Sequence, residues 1–81
     1  MSPRTKLVKA FAQGLGLPES AQIEGLQYRA VPQWNSMAHM QLVLEVENAF
    51  DIMLDSQQVL DLSSFEKAVE IVGTHGIDAT A

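Results

Sequence analysis

The sequence predicts an all-α fold: a four-helix bundle of three main helices and one short third helix, with a long loop after the first helix. Apolar residues recur at three- and four-residue steps in separate stretches, as on the buried face of a helix, and none alternates with polar residues as in a strand. Glycine and proline residues punctuate the chain between these stretches. A chain of 81 residues buries one modest core, so we expect residues 1–81 to form a single domain.

The first helix is predicted over residues 5–15. Leu7, Phe11 and Leu15 have the spacing that places side chains on one face of a helix. Pro3 stands where a helix tolerates proline, and Gly16 can end the helix in the left-handed conformation. Both ends of an amphipathic helix are therefore marked in the sequence.

Residues 17–34 show no sustained period and contain the helix breakers Pro18 and Pro32. Segments of this length without their own secondary structure are uncommon in compact domains and are usually functional or disordered. Apolar residues spaced along this one argue against disorder. We expect a long loop held against the core by Leu17, Ile23, Leu26, Tyr28, Val31 and Trp34.

The second helix is predicted over residues 36–51, with Ser36 or the residue before it as the N-cap. Leu42, Val46 and Phe50 recur at four-residue steps, so they should face the core. A neighbouring stripe of the same helix is also apolar, although the core does not need it. This stripe consists of Met37, Met40 and Leu44.

The third helix is predicted over residues 56–61 and the fourth over residues 64–73. Asp55 or Ser56 can cap the third helix. Residues 63–66, Ser-Ser-Phe-Glu, have the pattern of a capping box before the last apolar run. Glycines follow that run, and we expect residues 77–81 to form a frayed tail.

Composition excludes several classes of function. The absence of cysteine rules out a disulfide framework, a thiolate metal site and a cysteine nucleophile. Ten acidic residues against five Lys and Arg give a net charge of −5, which is the wrong sign for binding nucleic acid. No apolar run approaches the roughly 20 residues that span a bilayer, and the N-terminus shows no secretory signal. We expect a cytoplasmic protein that binds neither nucleic acid nor membrane.

Side chains that could support catalysis or metal binding are few. His39 follows Ser36 by three residues and could act as its base. However, Ser36 lacks the flanking glycines of a strained nucleophile turn, and no acid is placed to orient the histidine. A capping serine and a surface histidine are the simpler interpretation. Asp51, Asp55 and Asp61 lack the spacing of a calcium loop, and we predict no metal site.

Residues 34–52, Trp-Asn-Ser-Met-Ala-His-Met-Gln-Leu-Val-Leu-Glu-Val-Glu-Asn-Ala-Phe-Asp-Ile, resemble the Asp-Ser-Leu segment and second helix of the acyl carrier proteins. The order of the other segments is similar too. A first helix and a long loop precede this stretch, and Asp55, a short third helix and a fourth helix follow it. The resemblance covers essentially the whole chain.

In that family, the serine hydroxyl is esterified with 4'-phosphopantetheine from coenzyme A, and the thiol of this arm carries an acyl group between enzymes. The resemblance implies that Ser36 is the attachment point and that the protein is not itself an enzyme. A phosphate at a helix N-terminus meets unsatisfied backbone N–H groups and the positive end of the helix dipole. The arm would also supply the thiol that a chain without cysteine lacks.

The resemblance further implies a monomer whose partners are a phosphopantetheinyl transferase, an acyl- or aminoacyl-activating ligase, and acyltransferase or synthase enzymes. We expect these partners to contact Asn35, Met37, Met40, Gln41, Leu44, Glu45 and Glu47. The helices should enclose little permanent cavity, so a long acyl chain would have to part them. The residues expected to line such a space are Leu42, Val46, Phe50, Leu62, Val69 and Val72.

Two residues at the serine depart from the family pattern. Asn35 stands where the family usually has Asp, and Met37 stands where it has Leu. Met for Leu nearly conserves volume, whereas losing the Asp removes a charge that the transferase and partner enzymes read. Ala38 and Gln41 also stand where fatty-acid carriers commonly present acids. These departures favour a dedicated carrier in a specialised biosynthetic pathway.

Two other interpretations stay open. One is the housekeeping carrier of fatty acid synthesis. The other is a non-modified helical module that binds a protein partner through Met37, Met40 and Leu44, since methionine suits adaptable surfaces. An apolar stripe is nevertheless more often core than interface. Ser36→Ala separates a module from a carrier, because the module still binds its partner whereas the carrier can no longer deliver cargo.

Overall fold

The computed structural model describes residues 2–18, 23–28 and 32–80. Over these residues the protein is mostly helical and has no strand, which confirms the predicted all-α class. Its helices are α1 (Pro3–Leu15), α2 (Ser36–Phe50), α3 (Ser56–Asp61) and α4 (Phe65–Thr74), with one 3₁₀ turn at Ile23–Gly25 between α1 and α2.

Side-chain caps explain where α1 and α4 begin. α1 starts two residues before its predicted bound, because the Ser2 hydroxyl accepts a hydrogen bond from the Thr5 N–H and proline occupies the first helical position. Ser64 lies just outside α4 as its N-cap and accepts from the Lys67 N–H. The predicted capping box at residues 63–66 is wrong, because the third residue of α4 is a lysine whose side chain cannot accept a hydrogen bond.

The reciprocal capping box lies at α3 instead. The Asp55 carboxylate accepts from the Gln58 N–H at 2.8 Å, and the Gln58 side chain accepts from the Asp55 N–H at 3.4 Å. α3 has the predicted bounds of residues 56–61. α2 ends one residue before its predicted bound, because Asp51 adopts the left-handed conformation at φ 53°.

An aromatic cluster occupies the centre of the core. The rings of Phe11, Trp34 and Phe65 are at most 1% exposed. Phe11 meets Trp34 edge to face with ring centroids 5.6 Å apart, and it meets Phe65 at 5.2 Å. These rings come from α1, the residues before α2, and the start of α4, so one cluster ties three parts of the chain together.

α1 and α2 approach each other closely at Gly14. A Cβ atom on Gly14 would lie 2.6 Å from the Leu42 Cα atom and 3.0 Å from its backbone nitrogen. Because these are backbone atoms of α2, they cannot yield as a flexible side chain would. Only glycine permits this helix crossing.

The segment between α1 and α2 contains more local structure than the predicted long loop. Besides the 3₁₀ turn, it forms an antiparallel bridge between Gln27 and Ser64. There the Tyr28 N–H donates to the Ser63 carbonyl at 2.7 Å. Of the predicted anchors, Ile23 and Trp34 are buried, Leu17 and Leu26 are half-buried, Tyr28 is exposed, and Val31 lies outside the described residues.

The C-terminal segment differs from the predicted frayed tail. Ala79 is 1% exposed, and the Arg4 guanidinium donates to its carbonyl at 3.2 Å. The Thr80 hydroxyl and backbone N–H donate to the Asp78 carboxylate and hold the pKa of that carboxyl below its usual value. A cation from α1 and a buried methyl group therefore fasten residues 77–80, whereas residue 81 lies outside the described residues.

Replacing Gly14 with alanine is expected to lower the free energy of unfolding by roughly 1–3 kcal/mol, because the new methyl group must displace the backbone of α2. Helix propensity alone would favour alanine by about 1 kcal/mol. Gly73→Ala is the control, since no atom lies within 4 Å of its Cβ position, and it should stabilise α4 by up to about 1 kcal/mol. Urea unfolding measures both, and a Gly14→Ala protein as stable as wild type would refute the close approach.

Candidate functional site

Ser36 is the first residue of α2 and its side chain is exposed. Asn35 precedes it as the N-cap, and its side-chain oxygen accepts from the Ala38 N–H at 2.9 Å. The Ser36 N–H is one of the four that an α-helix leaves without intrahelical partners. The Ser36 hydroxyl therefore stands at the positive end of the helix dipole, where an attached phosphate is favoured.

Trp34 anchors the chain immediately before this helix. Its side chain is fully buried, and its indole N–H, which can only donate, donates to His39 Nδ1 at 3.0 Å. Leaving a buried N–H unpaired would cost about 1–3 kcal/mol. Because Trp34 precedes Ser36 by only two residues, its anchoring fixes where the serine emerges at the surface.

His39 connects this anchor to α3. Since the indole N–H donates to Nδ1, that nitrogen carries no proton, and the imidazole proton lies on Nε2. Nε2 then donates to the Val59 carbonyl at 2.8 Å. Both ring nitrogens are thus engaged, and neither offers a lone pair to a serine proton. The arrangement argues against a catalytic pair of Ser36 and His39.

An apolar cleft of about 400 Å³ opens beside Ser36. It lies at the junction of α2 and α3, and its size falls within the range of roughly 300–1,000 Å³ that is typical of small-molecule sites. The lining is mostly aliphatic and aromatic and includes two serine residues. The lining residues are Tyr28, Ser36, His39, Met40, Val59, Leu60, Leu62 and Ser63.

The residues predicted to contact an acyl chain are divided between this cleft and the core. Leu62 lines the cleft and is itself a core residue, 1% exposed. Leu42, Val46 and Val72 are at most 1% exposed in the core, and Phe50 and Val69 pack half-buried against it. An acyl chain in contact with these five residues would have to enter the packed interior of the protein. Their role stays a prediction, because periodicity identifies the core face of a helix and not the edge that meets α3.

The apolar stripe of α2 lies at the surface. The exposed fractions are 85% for Met37, 54% for Met40 and 51% for Leu44. Met40 also lines the cleft together with Leu60 of α3, which is 76% exposed. An apolar surface therefore continues from α2 onto α3 beside the serine.

The polar residues among the predicted partner contacts have different surroundings. Gln41 is exposed and donates to Glu45 at 3.3 Å. Glu47 is half-buried and accepts from the Leu54 N–H at 2.9 Å. Glu47 therefore holds the segment after α2, whereas Glu45, which is also half-buried, bonds to a side chain of its own helix. The seven predicted partner contacts stay predictions.

Sequence reasoning missed several residues of the site. Tyr28, Val59, Leu60 and Ser63 line the cleft, although none was predicted to be functional. α3 has only six residues, too few to display a period, and Tyr28 and Ser63 meet through the long-range bridge. The sequence does contain one signal for the role of His39. A buried tryptophan needs a polar partner for its N–H, and His39 follows Trp34 by five residues.

No protein-family model, curated protein or solved structure matches this chain. Within residues 2–18, 23–28 and 32–80, no three His, Asp or Glu side chains cluster as metal ligands would. No helix in this part of the chain combines the length and apolar character needed to cross a membrane. The chemistry of the site therefore has to be derived from Ser36, its helix and the cleft.

The cap at Asn35 can be tested directly. Asn35→Ala should lower the free energy of unfolding by about 1 kcal/mol, because the Ala38 N–H loses its acceptor. Asn35→Asp keeps the acceptor and adds a negative charge at the helix N-terminus, so it should stabilise by about 0.3–1 kcal/mol at low salt. Thermal unfolding at low and high salt checks both. Equal stabilities for the two variants would show that Asn35 does not cap α2.

Proposed function

We propose that this chain is a carrier protein of the acyl carrier protein kind. Ser36 bears 4'-phosphopantetheine, and the thiol of the arm presents an acyl or related thioester-bound intermediate to partner enzymes. The observation that carries the proposal is the placement of an exposed serine at the first position of α2, where it lines an apolar cleft. The resemblance of residues 34–52 to the carrier proteins supports the same function.

Loading the arm requires the Ser36 oxygen to attack the coenzyme A phosphorus that bears the pantetheine. The Ser36 Oγ–P bond forms, the P–O bond to the adenosine bisphosphate breaks, and a base takes the hydroxyl proton. His39 has both nitrogens engaged, so this base belongs to the transferase. The product phosphodiester keeps a negative charge beside the N-terminus of α2, where such a charge is stabilised by about 0.3–1 kcal/mol.

The cleft supports a carrier because it offers the arm or a short apolar cargo a surface close to its attachment point. Burying apolar area there contributes about 25 cal/mol per Å², without opening the core. A polar cargo gains little from this burial, because it has little apolar area to remove from water. A long acyl chain exceeds the cleft and would have to part the helices toward the core residues predicted to line its path.

The proposal includes the finer architecture of the carrier proteins, a bundle of three main helices with a short third helix. The helix lengths support it, with 13, 15 and 10 residues in α1, α2 and α4 against six in α3. α1, α2 and α4 all contribute side chains to one core. We include in the proposal a single domain, a monomer and a cytoplasmic location.

A specialised pathway is favoured over housekeeping fatty acid synthesis. Asn35, Met37 and Met40 surround the serine with uncharged surface, and the nearest acids on α2 are Glu45 and Glu47. Glu47 is partly occupied by its bond to Leu54. Partners that dock at the serine should therefore depend more on apolar contacts than on long-range charge.

A non-modified interaction module is the second candidate, and the exposure of Met37, Met40 and Leu44 favours it. This stripe would bury against a partner as an apolar helix face. The carrier remains the better account, because a module needs neither a serine at the helix start nor a cleft beside it. A module should bind its partner equally well after Ser36→Ala.

Incubation with coenzyme A and a broad-specificity phosphopantetheinyl transferase should add one phosphopantetheine to the wild type and none to Ser36→Ala, as measured by intact mass. Ser56→Ala is the matched control. Ser56 is also an exposed serine at the first position of a helix, and Asp55 caps that helix. An unmodified wild type, or modification that follows Ser56 and not Ser36, would overturn the proposal.

The apolar contacts of the transferase can be tested by modification rates. Met40→Ala should slow the transfer about fivefold, because truncating a large apolar contact near an interface centre costs about 1 kcal/mol or more. Met53→Ala is the control, since Met53 is 82% exposed but does not line the cleft. A silent Met40→Ala would mean that recognition lies elsewhere.

Charge is tested by restoring the missing acids. With a transferase that favours fatty-acid carriers, Asn35→Asp combined with Gln41→Glu should raise the rate at low salt and make it fall more steeply with added salt. The wild-type rate should depend weakly on salt. If the wild type is as salt-sensitive as the double variant, its remaining acids carry recognition and the specialised interface is wrong.

A further inference from the structure

α3 is the helix with the least hold on the core. None of its six residues is buried, and its residue Leu60 is 76% exposed. The flanking residues 52–55 and 62–64 are not helical. The buried Leu54 and Leu62 anchor these two segments in the core, so α3 itself is the part that can move. An element with few buried apolar contacts of its own opens at low free-energy cost.

Two sets of polar contacts hold α3 in place. On the side of α4, Gln58 donates to the Thr74 hydroxyl at 2.9 Å and accepts from His75 Nε2 at 3.1 Å. These groups are exposed, so water competes with them. On the side of α2, the His39 ring donates to the Val59 carbonyl at 2.8 Å in a partly buried setting. The His39 bond is therefore the firmer of the two.

The Val59 carbonyl needs a partner from outside its helix. A helical carbonyl normally accepts from the N–H four residues later, but for the last four carbonyls of a helix that N–H lies beyond the helix end. Val59 is among the last four residues of α3. His39 supplies that partner from α2. The ring of His39 is itself held by the buried indole of Trp34, so the bond ties α3 to the core.

We infer that His39 is a positioning residue. Its hydrogen bond to the Val59 carbonyl, called the latch below, holds α3 in place at the cleft beside Ser36. Val59 and Leu60 of α3 and the following Leu62 form one side of the cleft, and His39 and Met40 of α2 form the other. Breaking the bond between His39 and Val59 lets α3 swing on its flanking segments and widens the cleft. The latch thereby limits the size of the group that lies beside Ser36. That this group is a thioester cargo rests on the proposed function.

Two amide variants separate the two bonds of His39. In His39→Asn, the side-chain oxygen takes the place of Nδ1 and still accepts from Trp34, but nothing reaches Val59. In His39→Gln, the side-chain nitrogen takes the place of Nε2 and still donates to Val59, but the indole N–H loses its acceptor. Only the first variant should release α3.

Hydrogen exchange of the unmodified protein tests the latch. In His39→Asn, the amides of residues 59–62 should exchange about fivefold faster than in wild type. In His39→Gln, the exchange of these amides should stay within about twofold of wild type, because they exchange by local opening of α3, whereas a loss of global stability speeds mainly the amides of α1. Equal exchange rates at residues 59–62 in the two variants would overturn the latch.

The consequence for the cleft is tested without coenzyme A or transferase. The chain has no cysteine, so Ser36→Cys accepts propyl, hexyl or decyl methanethiosulfonate at this position alone. For each protein, the melting temperature with the alkyl group attached is compared with that of the unmodified protein. With increasing chain length, this gain should level off earlier in Ser36→Cys than in the double variant Ser36→Cys, His39→Asn. Identical series in the two backgrounds would show that α3 does not limit the cleft. If Ser36 does not accept phosphopantetheine, the proposed function is wrong, but the hydrogen-exchange and alkylation results still test the role of His39.

Discussion

The indole N–H of Trp34 is the group on which the arrangement of the candidate site depends. The ring is fully buried against Phe11, and its N–H has to be satisfied inside the protein. His39 satisfies it, and doing so fixes the proton on Nε2 and directs that proton to the Val59 carbonyl. One buried donor thus sets the start of α2, the tautomer of a histidine and the position of α3. Ser36 is held between these elements.

The helices could be predicted from the sequence because their signals are local. Periodic apolar residues and capping side chains lie within a few residues of each other, and the bounds of α2, α3 and α4 are within one residue of those expected. The packed C-terminal segment could not be predicted, since it depends on a contact between Arg4 and Ala79, which are 75 residues apart in sequence. The position of Ser36 at the start of α2 could be predicted from the amphipathic pattern that follows it, whereas its role as an attachment point stays a prediction from the resemblance of residues 34–52. The cleft was not, because Tyr28 and Ser63 come together only through tertiary contacts.

Charge is distributed unevenly over the molecule, and this bears on the proposed carrier. Residues 1–18 contain three cations and no acid, whereas the acidic residues all lie in the rest of the chain. Residues 30–44 contain no Asp, Glu, Lys or Arg, and at the start of α2 Met37 and Met40 are exposed. A partner reaching the serine would meet apolar groups first and charges at the rim. Rim charges govern association rates, while buried apolar contacts govern the lifetime of a complex.

The central claim is that Ser36 bears the arm and that the neighbouring cleft receives it. Backbone amide NMR spectra recorded before and after treatment with coenzyme A and transferase test this most directly. The account predicts shifts concentrated at the first turn of α2 and at the cleft residues Tyr28, Leu60 and Ser63, with the amides of α1 unmoved. Unchanged spectra, or shifts centred on Ser56 at the start of α3, would contradict it.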